Sequence, residues 1–97
     1  MKVLNVGRPL VRDISPLANL TYLTKLDIDD NQISDYSTLA SLTNLESLDL
    51  SGNNISFIPT SLVSLTKLNS LKLRYNQISD VTTLADMLYL NELYLDG

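Results

Sequence analysis

The chain repeats one pattern along its length, and this repetition limits the possible folds more than any other feature of the sequence. The pattern Leu-x-x-Leu-x-(Leu/Ile)-x-x-Asn-x-Ile recurs every 22 or 23 residues. The repeats start near residues 1, 23, 45, 68 and 90; the first copy is degenerate and the last is truncated. One unit of this size cannot bury its apolar side chains alone, whereas stacked units form a continuous core. We therefore predict a single domain over residues 1–97, built as a solenoid of stacked repeats.

Each repeat predicts one short strand and one tight turn. Leu26 and Ile28 alternate with polar residues, and the other copies repeat this alternation, which is typical of a strand with one buried face. Stacking places the strands side by side in a parallel sheet. Later in each repeat, apolar residues three positions apart, such as Leu39 and Leu42, favour a 3-10 or single helical turn. The predicted fold class is α/β, with a short parallel sheet on one side and short turns on the other.

An asparagine follows the predicted strand in three of the repeats, at Asn31, Asn53 and Asn76. Each lies where the chain leaves the strand and turns. The amide group has two donors and an acceptor, so it can satisfy backbone groups that the turn leaves without partners. We interpret this row of asparagines as structural rather than as a binding feature.

The repeat resembles a known family. The unit with Asn-Gln-Ile-Ser-Asp followed by Leu-Ala-x-Leu-Thr is similar to the leucine-rich repeats of bacterial internalins, and its length is similar to that of the phosphatase-regulating SDS22-like class. The resemblance implies a curved solenoid with its parallel sheet on the concave face and its 3-10 or short helical turns on the convex face. It also implies recognition of other proteins. The unit with Phe57-Ile58-Pro59 departs from the pattern because it has 23 residues.

Composition excludes several classes of function. The chain has no Cys and no His, so we expect no thiol or imidazole nucleophile, no disulfide and no metal site that needs these ligands. The net charge is −4 and the seven Lys and Arg are scattered, which argues against nucleic acid as a partner. We find no phosphate-binding glycine loop and no base that could activate a Ser or Thr. We therefore expect no cofactor and no enzymatic activity.

The compartment in which the chain acts is left open by the sequence. Members of the resembled family are often secreted or held on the cell surface. Residues 1–11 have no apolar segment long enough for a signal peptide, so we expect none there. No apolar run approaches the length of a membrane span, and we expect no insertion into a membrane.

The outward side of the predicted strands is the candidate surface for a partner protein. It combines an acidic centre with a basic and aromatic strip, and Tyr and Arg are common interface anchors. The candidate residues are Asp27, Asp29, Asp49, Lys72, Arg74, Tyr75 and Tyr94. The alternative is that these side chains are simply the solvated face of a sheet. A calcium site at Asp27, Asp29 and Asp30 is the weaker interpretation, because their spacing is not that of a calcium-binding loop.

The last repeat suggests a second, different function. Its apolar side chains have no following repeat to cover them in this sequence, and edge strands are prone to pairing with other chains. The candidate self-association residues are Leu88, Tyr89, Leu90, Leu93 and Leu95. Association of two such ends would close as a homodimer. The alternative function is therefore that of a structural repeat fragment that assembles through its terminal repeats.

Overall fold

The computed structural model describes residues 3–5, 14–29, 33, 35–87 and 89–95, with the backbone alone at 3–5. In these ranges each repeat contributes a three-residue strand, followed by a five-residue 3-10 turn in four of them. The strands are β1 (Val3–Asn5), β2 (Lys25–Asp27), β3 (Ser47–Asp49), β4 (Ser70–Lys72) and β5 (Glu92–Tyr94). The turns are η1 (Ser15–Asn19), η2 (Ser37–Ser41), η3 (Thr60–Ser64) and η4 (Thr82–Asp86).

The strands form one parallel sheet in sequence order, β1 to β5, without a crossover. Their register is uniform, because the middle residue of each strand pairs with the middle residue of the next, as Leu26 does with Leu48. This uniform register requires that the backbone of each repeat follow the same course before it returns to the sheet. This arrangement confirms the predicted fold class, a solenoid with a short parallel sheet on one face and 3-10 turns on the other.

One continuous apolar core lies between the sheet and the turns. The inward side chains of the central strands, Leu26, Leu48 and Leu71, are at most 1% exposed. Leu39 and Leu62 of the 3-10 turns are fully buried against them. Full burial of a leucine side chain contributes roughly 1.5–3 kcal/mol, so the stacked leucines supply most of the favourable folding energy.

Two of the 3-10 turns have an aspartate two residues before their first residue, and its side chain holds the start of the turn in place. Asp35 Oδ1 accepts a hydrogen bond from the backbone N–H of Ser37 at 2.9 Å. Asp80 Oδ1 accepts from both the backbone N–H and the hydroxyl of Thr82, at 3.0 and 2.8 Å. The repeat between them has Phe57 at this position, paired with Asp80 in an isolated parallel bridge. None of the described helices is long and apolar enough to cross a membrane.

The asparagines that follow β3 and β4 connect neighbouring repeats through the backbone. The Asn53 side-chain amide donates to the carbonyls of Ile28, Leu50 and Ser51, at 3.1, 3.0 and 3.2 Å. Asn76 repeats the arrangement one unit further on, and its Oδ1 accepts from the N–H of Asn53 at 2.8 Å. These bonds agree with the structural interpretation of the asparagine row. Asn31 lies outside the described residues.

Candidate functional site

The solvent-facing side of the sheet forms a shallow groove of about 420 Å³ that crosses β2, β3, β4 and β5. Side chains at alternate strand positions point to the same face, so each strand contributes two of them. The first row consists of Lys25, Ser47, Ser70 and Glu92. The second row consists of Asp27, Asp49, Lys72 and Tyr94. The groove is thus polar and is lined by both signs of charge.

The second row contains four of the seven partner-binding residues that the sequence predicts. The other three, Asp29, Arg74 and Tyr75, follow their strands where the chain leaves the sheet and are not among the residues that line the groove. The first row was not anticipated. Its signal is present in the sequence, because a period of two places the residue two positions before Asp27 or Lys72 on the same face. Lys25 and Glu92 therefore belong to the same surface.

The acidic residues of the second row also stabilise the backbone. Asp27 Oδ1 accepts a hydrogen bond from the N–H of Asp29 at 3.2 Å, and Asp49 Oδ1 accepts from the N–H of Ser51 at 3.0 Å. A side-chain acceptor at this position closes the turn that follows the strand. The carboxylates at 27 and 49 thus have a structural reason to be there whether or not a partner binds.

Lys72 breaks this pattern in the fourth repeat. An ammonium group has no acceptor, so it cannot close the turn as Asp27 and Asp49 do. The backbone N–H of Arg74 instead donates to the hydroxyl of Ser51 at 3.1 Å, a bond that comes from the neighbouring repeat. Because Ser51 supplies the missing acceptor, the Lys72 side chain is not needed for the turn.

The basic side chains of the fourth repeat lie against one aromatic ring. Arg74 Cζ is 4.5 Å from the centroid of the Tyr94 ring, and Lys72 Nζ is 5.7 Å from the same centroid. Both distances fall within the range of a cation–π interaction. We call these three residues, Lys72, Arg74 and Tyr94, the cation–aromatic cluster.

Tyr75 occupies a backbone conformation that favours glycine. Its φ is 57°, and Gly52 at the equivalent position of the third repeat has a φ of 71°. A residue with a Cβ loses roughly 1–2 kcal/mol in this left-handed region. The side chain of Tyr75 is 70% exposed, so packing within the chain does little to offset this cost.

The predicted self-association residues lie in two different environments. Leu93 and Leu95 are 36% and 41% exposed, whereas Leu90 is partly buried against the core. The Tyr89 hydroxyl donates to the carbonyls of Leu62 and Val63 in η3, at 3.2 and 2.9 Å, and so ties the last turn to the repeat before it. Leu88 lies outside the described residues.

A second cleft, of about 370 Å³, lies between the second and third repeats where the chain leads from the sheet to η3. It is lined in part by Ile33, Tyr36, Ile55 and Phe57, and Phe57 is 57% exposed. Burial raises the pKa of Tyr36 to about 12, so this phenol is protonated at neutral pH and is no general base. Within the described ranges, no group of three or more acidic side chains lies close enough together to hold a metal ion.

Comparison with known proteins identifies the family of this chain and solved structures that are similar to it. The family model described as "Leucine rich repeat" matches residues 2–55, 21–78 and 43–97. No curated protein matches the sequence. Among solved structures, internalin C2 of Listeria monocytogenes is 41% identical over 98% of this chain, with a TM-score of 0.88. Another internalin of that organism (inlF) is 39% identical over the whole chain, also with a TM-score of 0.88.

A more distant match extends the likeness to a second group of bacteria. A leucine-rich-repeat protein of Leptospira interrogans is 26% identical over 96% of this chain, with a TM-score of 0.82. The chain spans 42% of the length of the internalin C2 structure, 29% of the inlF structure and 24% of the Leptospira structure. The likeness therefore concerns the repeat region of these longer proteins.

Proposed function

We propose, on the premise that this chain belongs to the leucine-rich-repeat family and is internalin-like, that it binds a partner protein through the groove on the concave face of its sheet. Proteins of this family generally mediate protein–protein interaction and are generally not enzymes. The finer proposal is that the fourth repeat is the centre of the contact. Its anchors are Arg74, Tyr75 and Tyr94, with Lys72 beside them.

One observation carries this proposal: the fourth repeat differs from the third at two exposed positions, and the difference at Tyr75 has a structural cost. Lys72 replaces a turn-closing aspartate, and Tyr75 takes a left-handed conformation that glycine fills in the third repeat. Backbone strain of this kind persists where the side chain has a use that the fold alone does not explain. Both side chains project into solvent, so a partner is the use that fits.

The residue types support the same site. Tyrosine and arginine dominate interface hot spots, because each combines a large contact area with directed hydrogen bonds. Arg74 lies against the Tyr94 ring, which limits its freedom before binding. Ordering a flexible side chain costs about 0.5–1.5 kcal/mol on association, so an anchor that is already held in place binds with less loss.

The acidic residues Asp27, Asp29 and Asp49 take a secondary place in the proposed interface. The hydrogen bonds that Asp27 and Asp49 make to the backbone already explain their presence. They set the charge at the far side of the groove and contribute to choosing the partner and its orientation, which is the usual role of peripheral charge.

The test is site-specific photo-crosslinking in an extract of the source organism, with a benzophenone amino acid at position 75. The matched control places the same amino acid at Tyr22, which is 52% exposed in the loop that leads from η1 back to the sheet. We expect one crosslinked protein at position 75 that is absent at position 22. Equal crosslinking at both positions, or crosslinking at 22 alone, contradicts the proposal.

A second candidate function is self-association through the last repeat, and one observation favours it. Leu93 lies in β5, which pairs with β4 on one side, and Leu93 and Leu95 are both more than one third exposed. Large apolar side chains in contact with water favour association. A second copy of the chain, or a further repeat in a longer protein, could cover them.

A further inference from the structure

We propose that the partner presents an acidic side chain to the cation–aromatic cluster, so that an Asp or Glu carboxylate is held by Lys72 and Arg74 above the Tyr94 ring. This inference rests on the proposed function and specifies the chemistry of its central contact. The occupant is thus a protein segment with a carboxylate side chain where it crosses β4 and β5.

The placement of the two cations is the first reason. The Lys72 ammonium and the Arg74 guanidinium lie 5.7 and 4.5 Å from the centroid of one ring, so both cations are beside the same aromatic side chain. A carboxylate that contacts this cluster gains an attraction to each cation. Arginine adds a planar pair of N–H donors that matches the two oxygens of a carboxylate.

The second reason is that no ion pair joins Lys72 to a carboxylate of the described residues. Asp49 is its register neighbour on β3, and the Asp49 carboxylate accepts a hydrogen bond from the backbone N–H of Ser51. Glu92 on β5 is opposite Ser70 rather than opposite Lys72. Among the described residues Lys72 forms no ion pair with either of them. The ammonium is exposed and can receive an acid from another molecule.

The third reason is the change of sign along the second row. Asp27 and Asp49 lie on β2 and β3, and Lys72 follows on β4. An acidic residue of the partner is repelled over β2 and β3 and attracted over β4. Repulsion of the partner's carboxylate by Asp27 and Asp49 contributes to specificity, as does its attraction to Lys72. The row therefore defines where along the groove the carboxylate is bound.

The test is selection of a phage-displayed library of random 12-residue peptides against the purified chain. The peptides are fused to the coat protein at their C-terminus, so any carboxylate they offer is a side chain. We expect the selected peptides to be enriched in Asp and Glu. Synthetic versions should lose at least tenfold in affinity for Lys72→Glu, and selection against Lys72→Glu should enrich Lys and Arg instead.

The control for charge is Lys67→Glu, which makes the same change in the loop before β4, where Lys67 Nζ donates to Asn44 Oδ1 at 2.8 Å. Affinity should stay within about twofold for this variant, because exposed charges beyond a Debye length of about 8–10 Å are largely screened. A selection with no acidic enrichment, or equal losses for Lys67→Glu and Lys72→Glu, overturns the inference.

A third variant separates this inference from the function on which it rests. Asn69→Trp places a large ring on an exposed residue that lines the groove and leaves the net charge unchanged. Peptides that lose affinity for Asn69→Trp but not for Lys72→Glu use the groove without the carboxylate contact, so only the inference fails. Peptides that are indifferent to both Asn69→Trp and Lys72→Glu bind elsewhere, and the proposed function fails together with the inference.

Discussion

Asn53 shows how one side chain can supply hydrogen bonds to backbone carbonyls that have no backbone partner in a tight turn. Its amide donates to three carbonyls of two repeats, and its own N–H is accepted by Asn76. The side chain is 2% exposed, so water cannot substitute for these bonds. Backbone groups that are buried without a partner each cost about 1–3 kcal/mol. The asparagine row is thus part of the stacking between repeats and not only of the turn.

We expect Asn53→Ala to lower the free energy of unfolding by about 1–3 kcal/mol, because the carbonyls of Ile28, Leu50 and Ser51 lose their donor. Denaturant unfolding followed by circular dichroism measures this change. The control is Asn69→Ala, an exposed asparagine for which a change below about 0.5 kcal/mol is expected. An unfolding midpoint for Asn53→Ala equal to that of the unaltered chain contradicts the structural role.

Tyr75 shows what the sequence could and could not predict at a single residue. Its type and its place after a strand marked it as a candidate anchor. Its left-handed backbone could have been inferred from the alignment with Gly52, since a glycine in one repeat and a tyrosine in the next share one turn. The stacking of Arg74 on Tyr94 could not be read from the sequence, because rotamers depend on neighbours from another repeat.

At the scale of the element, two of the 3-10 turns are held by an aspartate that lies two residues before the turn. The backbone N–H of Ser37 lowers the pKa of Asp35 by hydrogen bonding to its carboxylate, and the N–H of Thr82 does the same for Asp80. Both carboxylates are exposed, so solvent screens part of the effect. The third repeat uses Pro59 before η3 instead, where the fixed φ of proline favours the entry to the turn.

The pKa shifts of Asp35 and Asp80 predict how stability depends on pH. Each pKa is lower in the folded chain than the ordinary value of 3.8, so folding favours the ionised form. This contribution is fully present above the unfolded pKa and is lost as the pH falls through the folded pKa. Unfolding midpoints should therefore decline below about pH 4 for the unaltered chain.

The measurement compares the unaltered chain with the double variant Asp35→Asn, Asp80→Asn across this acid range. An asparagine side chain keeps an acceptor oxygen but does not titrate, so the difference in stability between the two proteins should shrink as the pH falls. A constant difference from neutral pH to pH 3 would show that these two carboxylates do not contribute through ionisation.

The elements themselves follow from the sequence more directly than the groove does. Alternating Leu26 and Ile28 predicted the strand, and the three-residue spacing of Leu39 and Leu42 predicted the turn. The two rows of the groove were only half predicted, because Lys25 lies at the first position of β2, before the clear apolar alternation begins. Aspartates that close turns and aspartates that face a partner also look the same in a sequence.

At the scale of the whole molecule, the apolar end of the sheet is the feature that a second copy could cover. We expect the purified 97-residue chain to form dimers at high concentration, and the double variant Leu93→Lys, Leu95→Lys to be a monomer, because charged side chains oppose burial of that end. Light scattering across a range of concentrations measures both.

The control for this test is Phe57→Lys, which removes a large apolar side chain that is 57% exposed and lies away from the last repeat. It should leave the dimer intact. A chain that stays monomeric at high concentration, with β5 protected from hydrogen exchange, contradicts the self-association hypothesis, since the last strand would then be stable without cover.

The polar groove is the other feature of the whole molecule, and it carries the central claim. Its rows run across four strands, so a partner that follows the groove contacts several repeats at once. The claim is that affinity is concentrated at the fourth and fifth repeats of this face. We call the segments that lead from the sheet to the 3-10 turns, with the exposed side chains of Phe57 and Val81, the flank of the solenoid. The flank should contribute little to the affinity for the partner.

The most direct measurement is a calorimetric titration of the protein captured through position 75 against two sets of variants. Arg74→Ala, Tyr75→Gly and Tyr94→Ala should each lower affinity by about 5- to 30-fold, or about 1–2 kcal/mol. Tyr75→Gly should do so without lowering stability, since glycine suits the left-handed backbone there. Phe57→Ala and Val81→Ala should stay within about twofold. Neutral results at Arg74, Tyr75 and Tyr94 together with losses at Phe57 or Val81 would contradict the account and move the site to the flank.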